Sequence, residues 1–186
     1  MKLILRFVYS FLYDGIPYVL MFIPVLLFVR LCYLSLKPEK HSLSRQPDII
    51  KEALLLGFSV YLILLFTQTF IVNSAENEIR LIPFQIITEQ IIDAGKGTKS
   101  FTAFVFNILG NIGVFVPIGV FAAVIFKKHF WGTVLIGFYI SLVIETVQLP
   151  LDRTTDIDDL ILNTLGAAAG YGIYKIILKI KQHRLR

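Results

Sequence analysis

Apolar residues recur along the chain in five runs long enough to cross a hydrocarbon core, with short polar stretches between them. A core about 30 Å thick needs roughly 20 mostly apolar residues of helix. The runs cover residues 16–36, 53–72, 103–126, 131–150 and 160–180. They predict an all-α fold, a polytopic membrane helix bundle of about five transmembrane helices. Ahead of the first run, residues 1–13 carry Lys2 and Arg6 on an otherwise apolar stretch that breaks at Asp14-Gly15. No small-residue cleavage site follows and the apolar sequence continues to spanning length, so this stretch reads as an interfacial segment rather than a signal peptide. A re-entrant segment is the alternative. The one sizeable stretch outside the runs, residues 73–100, contains Arg80-Leu81-Ile82-Pro83-Phe84 and then an amphipathic pattern over 85–93. This predicts a short helix lying on the membrane, with Gly95 and Gly97 marking the turn into the third span.

Composition agrees with this pattern. Of 186 residues, 56% are hydrophobic and 17% charged, and mean hydropathy is +0.74. A soluble domain carries about 25% charged residues, and one core of this size has no room for so much apolar surface. A soluble enzyme, a disordered chain and a disulfide scaffold are excluded. Cys32 is the single cysteine, so no intrachain disulfide forms.

Charge then sets the orientation. With five spans, twelve of the 18 Lys and Arg residues fall on one face, including Arg30, Lys37, Lys40, Arg45, Lys51, Lys127, Lys128 and the tail after Tyr174. That face is expected to be cytoplasmic, with the N-terminus outside and the C-terminus inside. The net charge of +5 is accounted for by basic helix ends reaching anionic lipid headgroups, and no nucleic acid is implied. The expected organisation is an N-terminal segment, additional span and cytoplasmic loop over 1–52, a transmembrane domain over 53–180, and a basic cytoplasmic tail over 181–186.

Polar residues inside the runs are few, costly in lipid and therefore informative. In the third run Asn107 and Asn111 lie about 40° apart on one helix face. Gly110 beside them leaves room for a neighbour, and Pro117 removes a backbone bond two turns on. In the fourth, Ser141, Glu145 and Gln148 share a face. The fifth opens with Thr154-Thr155-Asp156-Ile157-Asp158-Asp159. The threonines and Asp156 are N-cap candidates, and acids suit the positive helix end. Asp156, Asp159, Asn163, Gly166 and Gly170 fall on one stripe, from which Asp158 points away. Gly166 and Gly170 form a GxxxG motif for close helix packing. Asn107, Asn111, Glu145, Gln148, Arg153, Asp156, Asp159 and Asn163 all map to the extracytoplasmic half, so three polar stripes meet at one level and predict a pocket that opens outward. Taken singly, the asparagines read as interhelical hydrogen bonds, Asp156 as a cap and Glu145 as a partner of Arg153.

The blocks Leu81-Ile82-Pro83-Phe84, Asn107-Ile108-Leu109-Gly110-Asn111, Phe115-Val116-Pro117-Ile118-Gly119, Glu145-Thr146-Val147-Gln148 and Arg153 with Thr155-Asp156-Ile157-Asp158-Asp159 and Asn163-Thr164-Leu165-Gly166 resemble the VanZ-like family, from about Ala53 to Ile180. The first span falls outside the resemblance. It implies a bacterial, multi-pass protein of the cell membrane and envelope. The family's name-giving member is linked to resistance to the antibiotic teicoplanin, and its characteristic polar residues fall on the eight positions above.

Three functions fit these residues. The first is binding or modulation of an envelope component by the outward pocket: a lipid headgroup, a lipid-linked cell-wall precursor or a lipoglycopeptide. Arg153 would take an anionic group and the amides would take hydroxyls or peptide groups. The second is an intramembrane enzyme in which Glu145, Asp156 and Asp159 hold a divalent cation, or Glu145 acts as a base. His41, His129 and His183 map to the opposite side, which leaves only carboxylate or metal chemistry. No cofactor is otherwise implied. The third is assembly with another membrane protein through the Gly166–Gly170 face.

Overall fold

The computed structural model describes residues 2–36, 49–71, 79–95, 97–127, 129–149 and 155–184. It is helical apart from two strands of two residues: α1 (Lys2–Leu36), α2 (Ile49–Ile71), β1 (Ile79–Arg80), α3 (Gln85–Ala94), α4 (Thr98–Ile125), α5 (Phe130–Gln148), β2 (Thr155–Asp156) and α6 (Ile157–Arg184). The chain divides into two compact units, Met1–Val72 and Asn73–Arg186. Among the described residues four helical segments are long and apolar enough to cross a membrane: Ile49–Gln68, Phe101–Ile125, Phe130–Gln148 and Ile157–Arg184. The remaining expected span lies within α1, whose apolar helical stretch among the described residues is Leu12–Leu27.

In the first unit α1 runs unbroken through Asp14 and Gly15, which corrects the break expected there. The reason is packing. Gly15 is buried, and a Cβ at this position would collide with the Leu64 side chain of α2, so the glycine serves close helix approach rather than a turn. Pro17 and Pro24 also sit inside α1. Arg30 grips Glu52 with both arms of its guanidinium, Nε donating to Oε2 at 2.9 Å and Nη2 to Oε1.

The second unit is built around α6. Helices α4 and α6 run in the same direction and α5 runs against both. Bulk in the core comes from Phe115, Ile118, Ala122 and Ala123 of α4, Ile144 of α5, and Leu162 and Ala167 of α6, all buried. Small residues set the spacing. A Cβ on Gly166 would meet the Ile112 carbonyl, one on Gly170 the Val116 carbonyl, and one on Gly119 the Ala167 carbonyl. On the other side of α6, Gly137 of α5 receives the Ala167 methyl group. Since lipid supplies no hydrophobic drive for helices to associate, such close backbone contact is a main source of their attraction. The Gly166–Gly170 face is thus filled by α4 of the same chain. Helix α4 continues through Pro117.

Before α6 the chain forms β2, which pairs in parallel with β1, Ile79 opposite Thr155 and Arg80 opposite Asp156. The sequence pattern gives no hint of this pairing, because two-residue strands are too short to show alternation. It ties the segment before α3 to the start of α6.

Candidate functional site at the α3 end of the second unit

One end of the second unit gathers the N-termini of α4 and α6, the C-terminus of α5, and α3. The polar side chains here fall into three connected sets.

The first is a row across three helices. Asn107 Nδ2 of α4 donates to Gln90 Oε1 of α3 at 3.1 Å. Asn111 Nδ2 donates to Asn107 Oδ1 at 3.5 Å and to Asp159 Oδ1 of α6. All four residues are half-buried. Beside the row, Gly110 has open space where a side chain would stand. Asn107, Asn111 and Asp159, expected on one level, are therefore joined, and Gln90 extends them onto α3.

The second set is a pair in the bundle interior. Asn163 Nδ2 donates to Ser141 Oγ at 2.9 Å, with Ser141 wholly buried and Asn163 6% exposed. The side-chain oxygen of Asn163 has no partner among the described residues, and neither do the hydroxyls of Thr155 and Thr133. Thr133 extends the α5 stripe toward its opposite end, but Gly137, packed on Ala167, interrupts it.

The third set is a sequence of carboxylates, each accepting from backbone N–H groups. Glu145 Oε2 accepts from Asp156 N at 3.2 Å. Asp156 Oδ1 accepts from Asp158 N at 2.9 Å, so of the N-cap candidates before α6 it is Asp156 that caps, while Thr154 lies outside the described residues. Asp158, only 1% exposed, accepts from three backbone donors at the start of α3: Phe84 N at Oδ1, and Ile86 N at 3.1 Å and Ile87 N at 3.2 Å at Oδ2. A helix leaves its first N–H groups without internal partners. In α3 these groups are satisfied by a carboxylate more than seventy residues further along the chain, in a charge-assisted form worth about 1.5–3 kcal/mol per bond. The residue before the helix, Phe84, sits in the left-handed region at φ 64°, a conformation that costs a non-glycine residue about 1–2 kcal/mol.

Electrostatics follow from this crowding. Burial pushes the Asp156 carboxyl above its ordinary range; the bond from Asp158 N–H opposes this, the Asp158 carboxylate adds to it, Arg80 opposes it and Glu89 adds to it. Arg80 also lies 3.7 Å from Glu89.

Of the remaining expected residues, Gln148 is buried on α5 beside Glu145, and Arg153 lies outside the described residues. Glu145, Asp156 and Asp159 are not brought together as a ligand set: among the described residues no three His, Cys, Asp or Glu side chains are grouped to hold a metal ion. His129 caps α5 through Nδ1, which accepts from Gly132 N at 3.2 Å.

Sequence reasoning missed Gln90, Arg80 and Asp158 as members of this end. Asp158 points away from the polar stripe of α6, as its position in the helix requires, and lands on α3. One feature of the sequence pointed to it. The start of α3, Pro83-Phe84-Gln85, contains none of the Ser, Thr, Asp or Asn residues that cap helices locally, so its acceptor had to come from elsewhere.

Comparison with known proteins adds one match. A family model described as VanZ/LLP1 covers residues 52–178, more than half of the chain. No curated protein matches the chain. No solved structure matches it either.

Proposed function

Because the chain belongs to the VanZ/LLP1 family, we propose that its α3 end is an outward-facing pocket of a bacterial envelope protein. The pocket binds the hydroxyl- and amide-bearing part of an envelope component or lipoglycopeptide. The observation that carries this reading is the half-buried row Gln90–Asn107–Asn111–Asp159. Three amides and a carboxylate in sequence offer donors and acceptors alternately, the pattern that sugar hydroxyls and peptide groups match. The row engages only the oxygen of Gln90, whose amide nitrogen brings two further donors. Next to it, the space at Gly110 admits a ligand group close to backbone.

Glu145 and Asp156 serve in this reading as the frame rather than as reactive groups, since their oxygens hold backbone N–H groups. A role in glycopeptide resistance belongs to the same proposal.

The test uses the full chain in lipid nanodiscs with fluorescent teicoplanin as probe. Asn111→Leu and Asp159→Asn are expected to weaken binding at least tenfold, while Leu109→Ala on the exposed side of α4 leaves it unchanged. Binding by both site variants equal to that of the parent chain, or binding by the parent no greater than by empty nanodiscs, would sink the proposal.

A further inference from the structure

We infer that α3 is a latched lid over this row, and that Asp158 is the latch: a positioning residue that seats α3 so that Gln90 completes the polar row. The inference rests on the binding role proposed above and adds to it the element that controls access.

Four observations meet at this point. First, α3 has no capping side chain of its own, and its start is held by one carboxylate from α6 through Phe84, Ile86 and Ile87. Second, that carboxylate is almost wholly buried. A buried carboxylate is costly unless it is hydrogen-bonded, so Asp158 and α3 depend on each other: either alone leaves unsatisfied groups. Such mutual dependence gives two discrete states, docked and open, rather than a gradual loosening. Third, Phe84 holds a left-handed backbone. This strain persists only while the surrounding bonds impose it, so it biases the segment toward release. Fourth, Asn107 of α4 donates to Gln90 in the second half of α3. Seating α3 at its N-terminal end therefore brings its far end onto the row.

The apolar edge of the segment fits a lid that moves against lipid. Leu81, Ile82, Phe84, Ile91 and Ile92 are each more than half exposed, so opening exposes little new apolar surface to water when the segment lies at a bilayer surface. Asp158 is itself held by Asp156, and the backbone of Asp156 by Glu145. The latch is thereby tied to the acid within α5.

Hydrogen exchange of the full chain in nanodiscs, with no ligand present, reads the latch directly. The peptide covering residues 84–94 is expected to be protected in the parent chain. In Asp158→Asn it should exchange at least tenfold faster, with peptides of α4 and α6 unchanged. In Phe84→Gly, which removes the strain without touching a span, it should exchange at least threefold more slowly. Exchange in Asp158→Asn within twofold of the parent overturns the latch. If that chain does not insert, Phe84→Gly decides, and exchange equal to or faster than the parent overturns it. Because no ligand is used, this result stands apart from teicoplanin binding: a latch without binding refutes only the binding reading, and binding without a latch refutes only the lid.

Discussion

The two halves of the packing face of α6 hold the same helix in opposite ways. From Ile157 to Asn163 the helix meets its neighbours through polar side chains: Asp158 reaches α3, Asp159 reaches α4 and Asn163 reaches α5. From Gly166 to Gly170 it meets them through the absence of side chains, with the carbonyls of Ile112 and Val116 lying where Cβ atoms would stand. The polar half gives each neighbour a specific register, because a hydrogen bond fails when its groups are offset. The small-residue half gives closeness, because dispersion falls steeply with distance. A lipid-embedded bundle needs both, and here one helix supplies them in sequence.

The seam should be the more fragile half. Gly170→Val places branched bulk against backbone carbonyls that have no rotamer through which to yield. It is expected to cost about 3 kcal/mol or more, at the upper end of overpacking effects, and to abolish a cooperative thermal transition of the purified protein in detergent. A variant that melts like the parent would show that α4 and α6 are further apart than described. In the polar half, Asn163→Leu removes a single interior bond to Ser141. The expected cost is about 0.6–1.7 kcal/mol, the range for polar contacts between membrane helices, read from the shift of the same transition. A loss as large as that of Gly170→Val would erase the distinction between the halves.

The smallest effect concerns the cap that begins the polar half. Asp156 has a carboxyl raised by burial, so the folded chain holds its proton more tightly than the unfolded one. That contribution is fully present below the ordinary Asp value of about 3.9 and is lost as pH rises through the raised value. Asp156→Asn keeps an oxygen for Asp158 N–H and does not titrate. At pH 7 it should melt about 2 °C above the parent, and the gap should close as pH falls toward 4. A gap that widens on acidification would reverse the sign and place the shift elsewhere.

Much of the bundle was legible along the chain. Residues 53–72, 103–126, 131–150 and 160–180 overlap the four segments that the structure shows to be long and apolar enough for a membrane, because apolar run length in a 30 Å core is a property of sequence alone. The shared stripe of Asp159, Asn163, Gly166 and Gly170 was equally legible, since helical periodicity places these residues together whatever surrounds them. The end of the first helix was misread at Asp14-Gly15, where a local turn signal was overridden by packing against Leu64.

By itself, then, the sequence determined the solvent, the helices and which polar residues share a face. Those features follow from one-dimensional spacing. The tertiary structure decided the partners: that α4 fills the Gly166–Gly170 face, that Gln90 joins Asn107, and that Asp158 caps a helix begun more than seventy residues earlier. Such contacts depend on which helices lie side by side and at what height. No periodicity encodes that, because each partner is chosen by the satisfaction of a buried polar group rather than by its own neighbours in the chain.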